Sequence, residues 1–215
     1  MANTERTLTN AELARKEAFE QARVELEAQG YRIHPLVISV VSANVGALAT
    51  ALPLDVVLGA GFFLLHPFGS VSFQLVDLLF AFLAFVVLTV VHELVHGLTW
   101  SLFAKSGWKS VSFGVIWKYL TPYCTCNEAL SRRAYIVGAL MPTLVLGILP
   151  VLAAYATGSL FLLVVGLLMI LGGGGDLTIA LKMLRFKPDG GEVLYLTTPT
   201  NAAWWRSSAR GFART

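Results

Sequence analysis

Charge is scarce in this chain: of its 215 residues only 13% are Asp, Glu, Lys or Arg, while 56% are hydrophobic and the mean hydropathy is +0.68. An average soluble domain carries about 25% charged residues, so a soluble globular protein is excluded as the starting point and a membrane protein takes its place. Cysteine is nearly absent. Cys124 and Cys126 stand too close together to build a disulfide framework. A short basic leader followed by an apolar core is also missing: Arg6, Arg15, Lys16, Arg23 and Arg32 are interleaved with six acids over residues 1–35, and no cleavable signal peptide is expected. There is no internal repeat and no low-complexity tract.

What the chain has instead is apolar length. Four stretches, at roughly 36–65, 75–104, 133–156 and 159–182, reach the 20 or so residues that cross about 30 Å of hydrocarbon as a helix. The expected fold is an all-α membrane protein, a bundle of about four transmembrane helices with a small β-hairpin on the cytoplasmic side. Its expected parts are a cytoplasmic N-terminal amphipathic helix within 1–35, a membrane-embedded domain over 36–185 and a cytoplasmic tail over 186–215.

The sixteen Lys and Arg residues fall in three clusters that alternate with these spans. Five precede the first span, and five (Lys105, Lys109, Lys118, Arg132, Arg133) separate the second from the third. Six (Lys182, Arg185, Lys187, Arg206, Arg210, Arg214) lie at or after the end of the fourth, and residues 66–74 and 157–158 contain none. Positive residues stay on the cytoplasmic side, which places both termini and the 105–132 loop there, in an integral protein of the cell membrane. A basic nucleic-acid-binding surface competes for a pI near 9.0, but clusters that obey membrane topology argue against a nucleic-acid partner.

Local signals fill in the elements. Residues 9–29 read as an amphipathic helix, opened by a Thr9–Glu12 capping box and closed by Gly30. His34-Pro35 then breaks the pattern, and Pro53 and Asp55 predict a kinked or tilted first span. From Gly107 to Asn127, Val111, Phe113 and Val115 alternate with Ser110, Ser112 and Gly114, as in a hairpin strand. Four consecutive glycines, Gly172 to Gly175, cost a helix about 1 kcal/mol each relative to alanine. Inside a bilayer such a break is tolerated only against protein or a wet cavity. Val193 to Leu196 is strand-like, and Trp204-Trp205 suits the membrane interface.

Chemistry enters in the second span, where His92-Glu93-Leu94-Val95-His96 forms an HExxH motif on a helix. Four residues return nearly to the same face and rise about 6 Å, so two imidazoles converge on one ion, with zinc as the expected metal. Glu93 stands beside that face, where its carboxylate can take a proton from a metal-activated water and pass it to a leaving amine. The bland alternative is that the histidines merely tie helices together; ionisable groups inside a membrane are functional by default.

A catalytic zinc site has three protein ligands and one open position. His96 lies nine residues before Lys105, about 13 Å along the helix, and Asp176 six before Lys182, about 9 Å from the same side. Asp55, about 30 Å from the cytoplasmic start of its span, belongs near the outer face with Asp77 and His66. His34, Cys124, Cys126 and Glu128 lie on the correct side but in loops. Asp176 is the preferred third ligand, with a helix-packing role as its alternative. The C-x-C pair without a second pair reads more readily as structural, and Glu128, Arg132 and Arg133 as a solvated start of the third span.

These motifs resemble the zincin peptidase family of small polytopic membrane proteins, itself similar to site-2 proteases, the intramembrane zinc metalloproteases. The resemblance runs from about Gly30 to Leu196. It rests on His92-Glu93-Leu94-Val95-His96-Gly97, on Tyr123-Cys124-Thr125-Cys126-Asn127-Glu128-Ala129-Leu130-Ser131-Arg132-Arg133 leading to Pro142, and on Gly175-Asp176-Leu177. It implies that His92, His96 and Asp176 bind zinc and that Glu93 activates water. Four glycines replace the Asn-Pro or Leu that site-2 proteases place before Asp-Gly. No PDZ-like segment is present, so no substrate transfers by similarity.

The expected activity is hydrolysis of a peptide bond of a membrane protein or peptide, in or next to the bilayer. The hairpin edge is a candidate for holding an extended substrate by strand addition. Two other readings remain open: a non-proteolytic metal-binding or metal-transporting protein, and a zinc hydrolase of a lipid or other non-peptide substrate.

Overall fold

The computed structural model describes residues 10–37, 40–67, 74–116, 121–186, 193–197 and 203–209. Helix α1 (Asn10–Ala28) is followed by Gly30 at φ +85°, a left-handed turn that leads into strand β1 (Tyr31–Val37). The start expected at Thr9 lies outside the described residues. Long helices α2 (Val40–Leu65) and α3 (Leu75–Ser101) come next. A hairpin of β2 (Val111–Ile116) and β3 (Thr121–Cys126) and a short β4 (Leu130–Ser131) then lead into α4 (Arg132–Pro142). A π-helical segment (Thr143–Ile148) carries α4 into α5 (Leu149–Thr157). Helices α6 (Leu160–Gly172) and α7 (Gly174–Arg185) and strands β5 (Val193–Thr197) and β6 (Ala203–Ala209) complete the order.

Three helical stretches are long and apolar enough to cross a membrane: 44–65, 75–101 and 132–157. The pair α6 and α7, bent by 49° at the glycine break, makes a fourth if counted as one span. The chain is thus mostly helical, with three or four candidate spans, and the lipid bilayer is its environment. Val57, Leu64, Val87 and Leu98 are left exposed on α2 and α3, as suits faces turned to acyl chains rather than water.

Two buried clusters hold the bundle. One joins Ala51 and Phe62 of α2 to Val151, Ala154, Leu163 and Ile170. The other joins Trp100 at the end of α3 to Cys124, Cys126, Tyr135, Met183 and Tyr195, and so locks hairpin, α4, α7 and β5 together.

The hairpin is present as the alternation predicted. The strand-like 193–196 segment belongs to a larger unit, an antiparallel sheet of order β1-β6-β5-β4. His34-Pro35, read from the sequence as a break, lies inside β1 opposite Arg206 and Trp205. Proline is tolerated there because β1 is an edge strand. Trp204-Trp205 sits in β6, paired on both sides; such long-range pairing leaves little trace in local periodicity.

Candidate metal centre

His92 and His96 lie one turn apart on α3, both buried, at 7% and 3% exposure. Their Nε2 atoms are 3.1 Å apart. Asp176 Oδ2 is 3.1 Å from Nε2 of His92 and 3.3 Å from Nε2 of His96. Four-coordinate zinc with bonds of about 2.0–2.1 Å separates its donors by roughly 3.3–3.4 Å, so these three atoms fit one face of such a site.

Hydrogen bonding supports the same fit. His96 Nδ1 faces the Gly138 carbonyl at 2.8 Å and must donate to it, which leaves the neutral ring an acceptor lone pair at Nε2. Nε2 of His92 and the Asp176 carboxylate converge on that lone pair. With both rings neutral, one proton on His92 can serve only one of these contacts, whereas a divalent cation serves all three. Among the described residues, these three form the one group of histidine, cysteine and acidic side chains able to hold a metal ion.

The surroundings explain how these three side chains are held. Pro142 has no amide hydrogen, so the carbonyl four residues earlier, at Gly138, lacks its helical donor and is free for His96. Trp100 stacks on the His96 ring at a centroid distance of 4.9 Å and donates its indole N–H to the Tyr135 carbonyl. A Cβ at position 138 would run into that indole. On the far side, Thr50 of α2 meets the Gly174 carbonyl and the Thr178 hydroxyl, both at 3.3 Å, and so holds the first turn of α7 on which Asp176 sits.

Asp176, the carboxylate expected from its depth, lies beside the two histidines, although the helix ends differ from those expected. Helix α3 ends at Ser101 rather than near Lys105, so His96 is closer to its end than expected. Asp176 lies in the first turn of α7, and the bend at the break brings the two together. Asp55, Asp77, His66, Cys124, Cys126 and Glu128 are not in the cluster; the side chain of His34 lies outside the described residues.

Glu93 takes the backbone N–H of Cys124 on its carboxylate and stands within electrostatic reach of His96, Asp176 and His92. The hairpin's pairing explains that N–H. Asn127 N–H donates to the Ser110 carbonyl, so by alternation Thr125 pairs with Ser112 while the Cys124 N–H points out of the hairpin. The hairpin can come this close because residue 97 is glycine: a Cβ there would stand 2.6 Å from Phe113 Cζ and 2.9 Å from Val111 Cγ1.

The cysteines pack as structural residues. Burial, with Glu93 and Cys126 adding to it, pushes the Cys124 thiol well above its ordinary range. Burial also raises Cys126, whose Sγ lies 3.6 Å from Ser110 Oγ. Neutral thiols are poor metal ligands. Glu128 accepts from the backbone N–H groups of Lys105 and Ser106, and Arg132 donates to the Leu184 carbonyl. Both contacts tie elements together at the exposed start of the third span.

Residues 85–190 match the family model described as “Putative zincin peptidase”. No curated protein and no solved structure matches the chain significantly.

Proposed function

We propose, from the match of residues 85–190 to that family model, that the chain is a membrane-embedded zinc metallopeptidase that cleaves peptide bonds in or next to the bilayer. The observation that carries the reading is the triangle of His92, His96 and Asp176 donors, with Glu93 between the two histidines on the same helix. When bound, zinc supplies a Lewis acid that polarises a carbonyl and makes water acidic enough to lose a proton near neutral pH.

The chain's own groups do the rest. Glu93 accepts the proton from the attacking water and delivers it to the departing amine. The Cys124 N–H holds that carboxylate in place, and the Gly138 carbonyl holds the His96 tautomer. Strand β2 offers a further function: in the alternation set by Asn127 and Ser110, the N–H groups of Phe113 and Val115 point away from β3. An extended substrate segment can add to that edge and be directed to the metal. The basic clusters support a cytoplasmic location for both termini and for the hairpin.

A base between two ligands separates hydrolysis from metal storage, because a structural zinc site closes with four ligands and needs no base. Glu93→Gln is expected to keep its metal, measured by elemental analysis of purified protein, while turnover falls by roughly 10²–10⁴-fold. His92→Ala is expected to lose both. Undiminished cleavage by Glu93→Gln would defeat the catalytic assignment. A proteomic comparison of cells carrying active and Glu93→Gln forms identifies the substrates, and separates peptide hydrolysis from action on lipid.

A further inference from the structure

Thr143 breaks a pattern that the other threonines keep. In the described helices, the hydroxyls of Thr50, Thr89, Thr99, Thr157 and Thr178 each donate to the carbonyl four residues earlier, the ordinary way for a helix to satisfy this side chain. Thr143 Oγ1 is buried and has no partner among the described residues, although the residue is only 5% exposed. It opens the π-helical segment directly after Pro142, a deformation frequent at functional sites.

The hydroxyl is also next to the metal centre. A Cβ added at Gly173 would collide with Thr143 Oγ1 and stand 3.4 Å from Cε1 of His92. Glycine at the break therefore lets the start of α7 pack closely against this hydroxyl, with the first histidine beside it. The side-chain atoms of the candidate centre, the two Nε2 atoms and Asp176 Oδ2, with the Glu93 carboxylate, serve as lone-pair donors to a cation or as a base. Thr143 adds what that set lacks, a neutral O–H donor.

We propose that Thr143 is a further catalytic residue, whose hydroxyl donates a hydrogen bond to the carbonyl oxygen of the bond being cleaved as negative charge builds on it. This rests on the hydrolase reading above. A donor already in place and shielded from water stabilises such charge without reorganisation. The buried, unsatisfied hydroxyl is then the cost of holding it ready, since an unpaired polar group destabilises the folded state.

The test uses purified full-length protein loaded with Co²⁺ in detergent, read by its visible absorption, in wild type, Thr143→Val and Thr143→Ser. Two probes are titrated: acetohydroxamate, which has a carbonyl oxygen, and 2-mercaptoethanol, which has none. Thr143→Val is expected to bind cobalt normally and to melt at a higher temperature, because an unpartnered hydroxyl has become a methyl. It is expected to bind acetohydroxamate about tenfold more weakly and 2-mercaptoethanol unchanged, with Thr143→Ser restoring the hydroxamate.

Equal acetohydroxamate affinity in wild type and Thr143→Val overturns the hydroxyl's role. So does a lower melting temperature for Thr143→Val, which would show that the hydroxyl serves the fold. Wild-type protein that takes up no cobalt overturns the metal centre and this proposal with it. Proteolysis undiminished in Glu93→Gln defeats the hydrolase reading by a separate readout.

Discussion

Pro142 shows how one missing hydrogen atom can shape a candidate metal site. A proline within a helix leaves the carbonyl four residues back without its donor, at a cost that elsewhere kinks or breaks the helix. Here that carbonyl belongs to Gly138 and accepts from His96 Nδ1, so the defect fixes a tautomer instead. Pro142→Ala is expected to return an N–H to position 142 that competes for the same carbonyl. Metal affinity, followed by competition with a chromophoric chelator, should fall by about tenfold or more, the usual effect of losing a partner behind a ligand. An unchanged affinity would show that the Gly138 contact does not tune the site. Pro142 stands out in the sequence as the end of a motif, but its role is invisible there, because the partner it releases a carbonyl for lies on another helix.

At the scale of elements, the hairpin and the glycine break do complementary things. The hairpin seats on Gly97 of α3 and brings the Cys124 N–H to Glu93; the break turns α7 by 49° so that its first turn faces α3. If β2 is the docking edge, proline should act by position. Val115→Pro removes an N–H that points away from the hairpin, whereas Gly114→Pro removes one that faces β3. Val115→Pro is expected to keep its metal and its melting temperature but to raise KM for an extended peptide several-fold, and Gly114→Pro to lower the melting temperature. Cleavage by well-folded Val115→Pro with an unaltered KM would remove the edge from the account. The alternation of Val111, Phe113 and Val115 already marked this strand, but its register, and hence which N–H groups point outward, came only with its partner.

For the whole molecule, the contacts outside the bilayer-length helices decide how the ends of the bundle are tied. Glu128 receives the N–H groups of Lys105 and Ser106 just beyond α3. Burial raises its pKa, but the hydrogen bonds from Ser106 and Lys105, with the Lys105 charge, outweigh it and leave a carboxyl below its ordinary range. A depressed folded-state value means stability that is fully present above the unfolded pKa of about 4.3 and lost as pH falls through the lower folded value. Glu128→Ala is therefore expected to melt slightly below wild type at pH 7, with the gap closing as the pH falls through the lowered folded-state value. The group is largely solvated, so the effect is small. A gap that persists at low pH would mean that the tie does not depend on the carboxylate charge.

What the chain determined by itself was everything local: apolar runs long enough to span a bilayer, two histidines one turn apart with an acid between them, and glycines that cannot sustain a straight helix. These follow from hydropathy and from 3.6 residues per turn, which a short stretch sets alone. Only the tertiary structure decided that Asp176 closes the donor triangle from 80 residues beyond His96, that the Gly138 carbonyl orients an imidazole and that Thr143 keeps its hydroxyl idle. It also decided that β1 and β6 share a sheet. Each depends on the angle of a bend or the register of a distant strand, quantities set by the packing of the whole chain and by no segment of it.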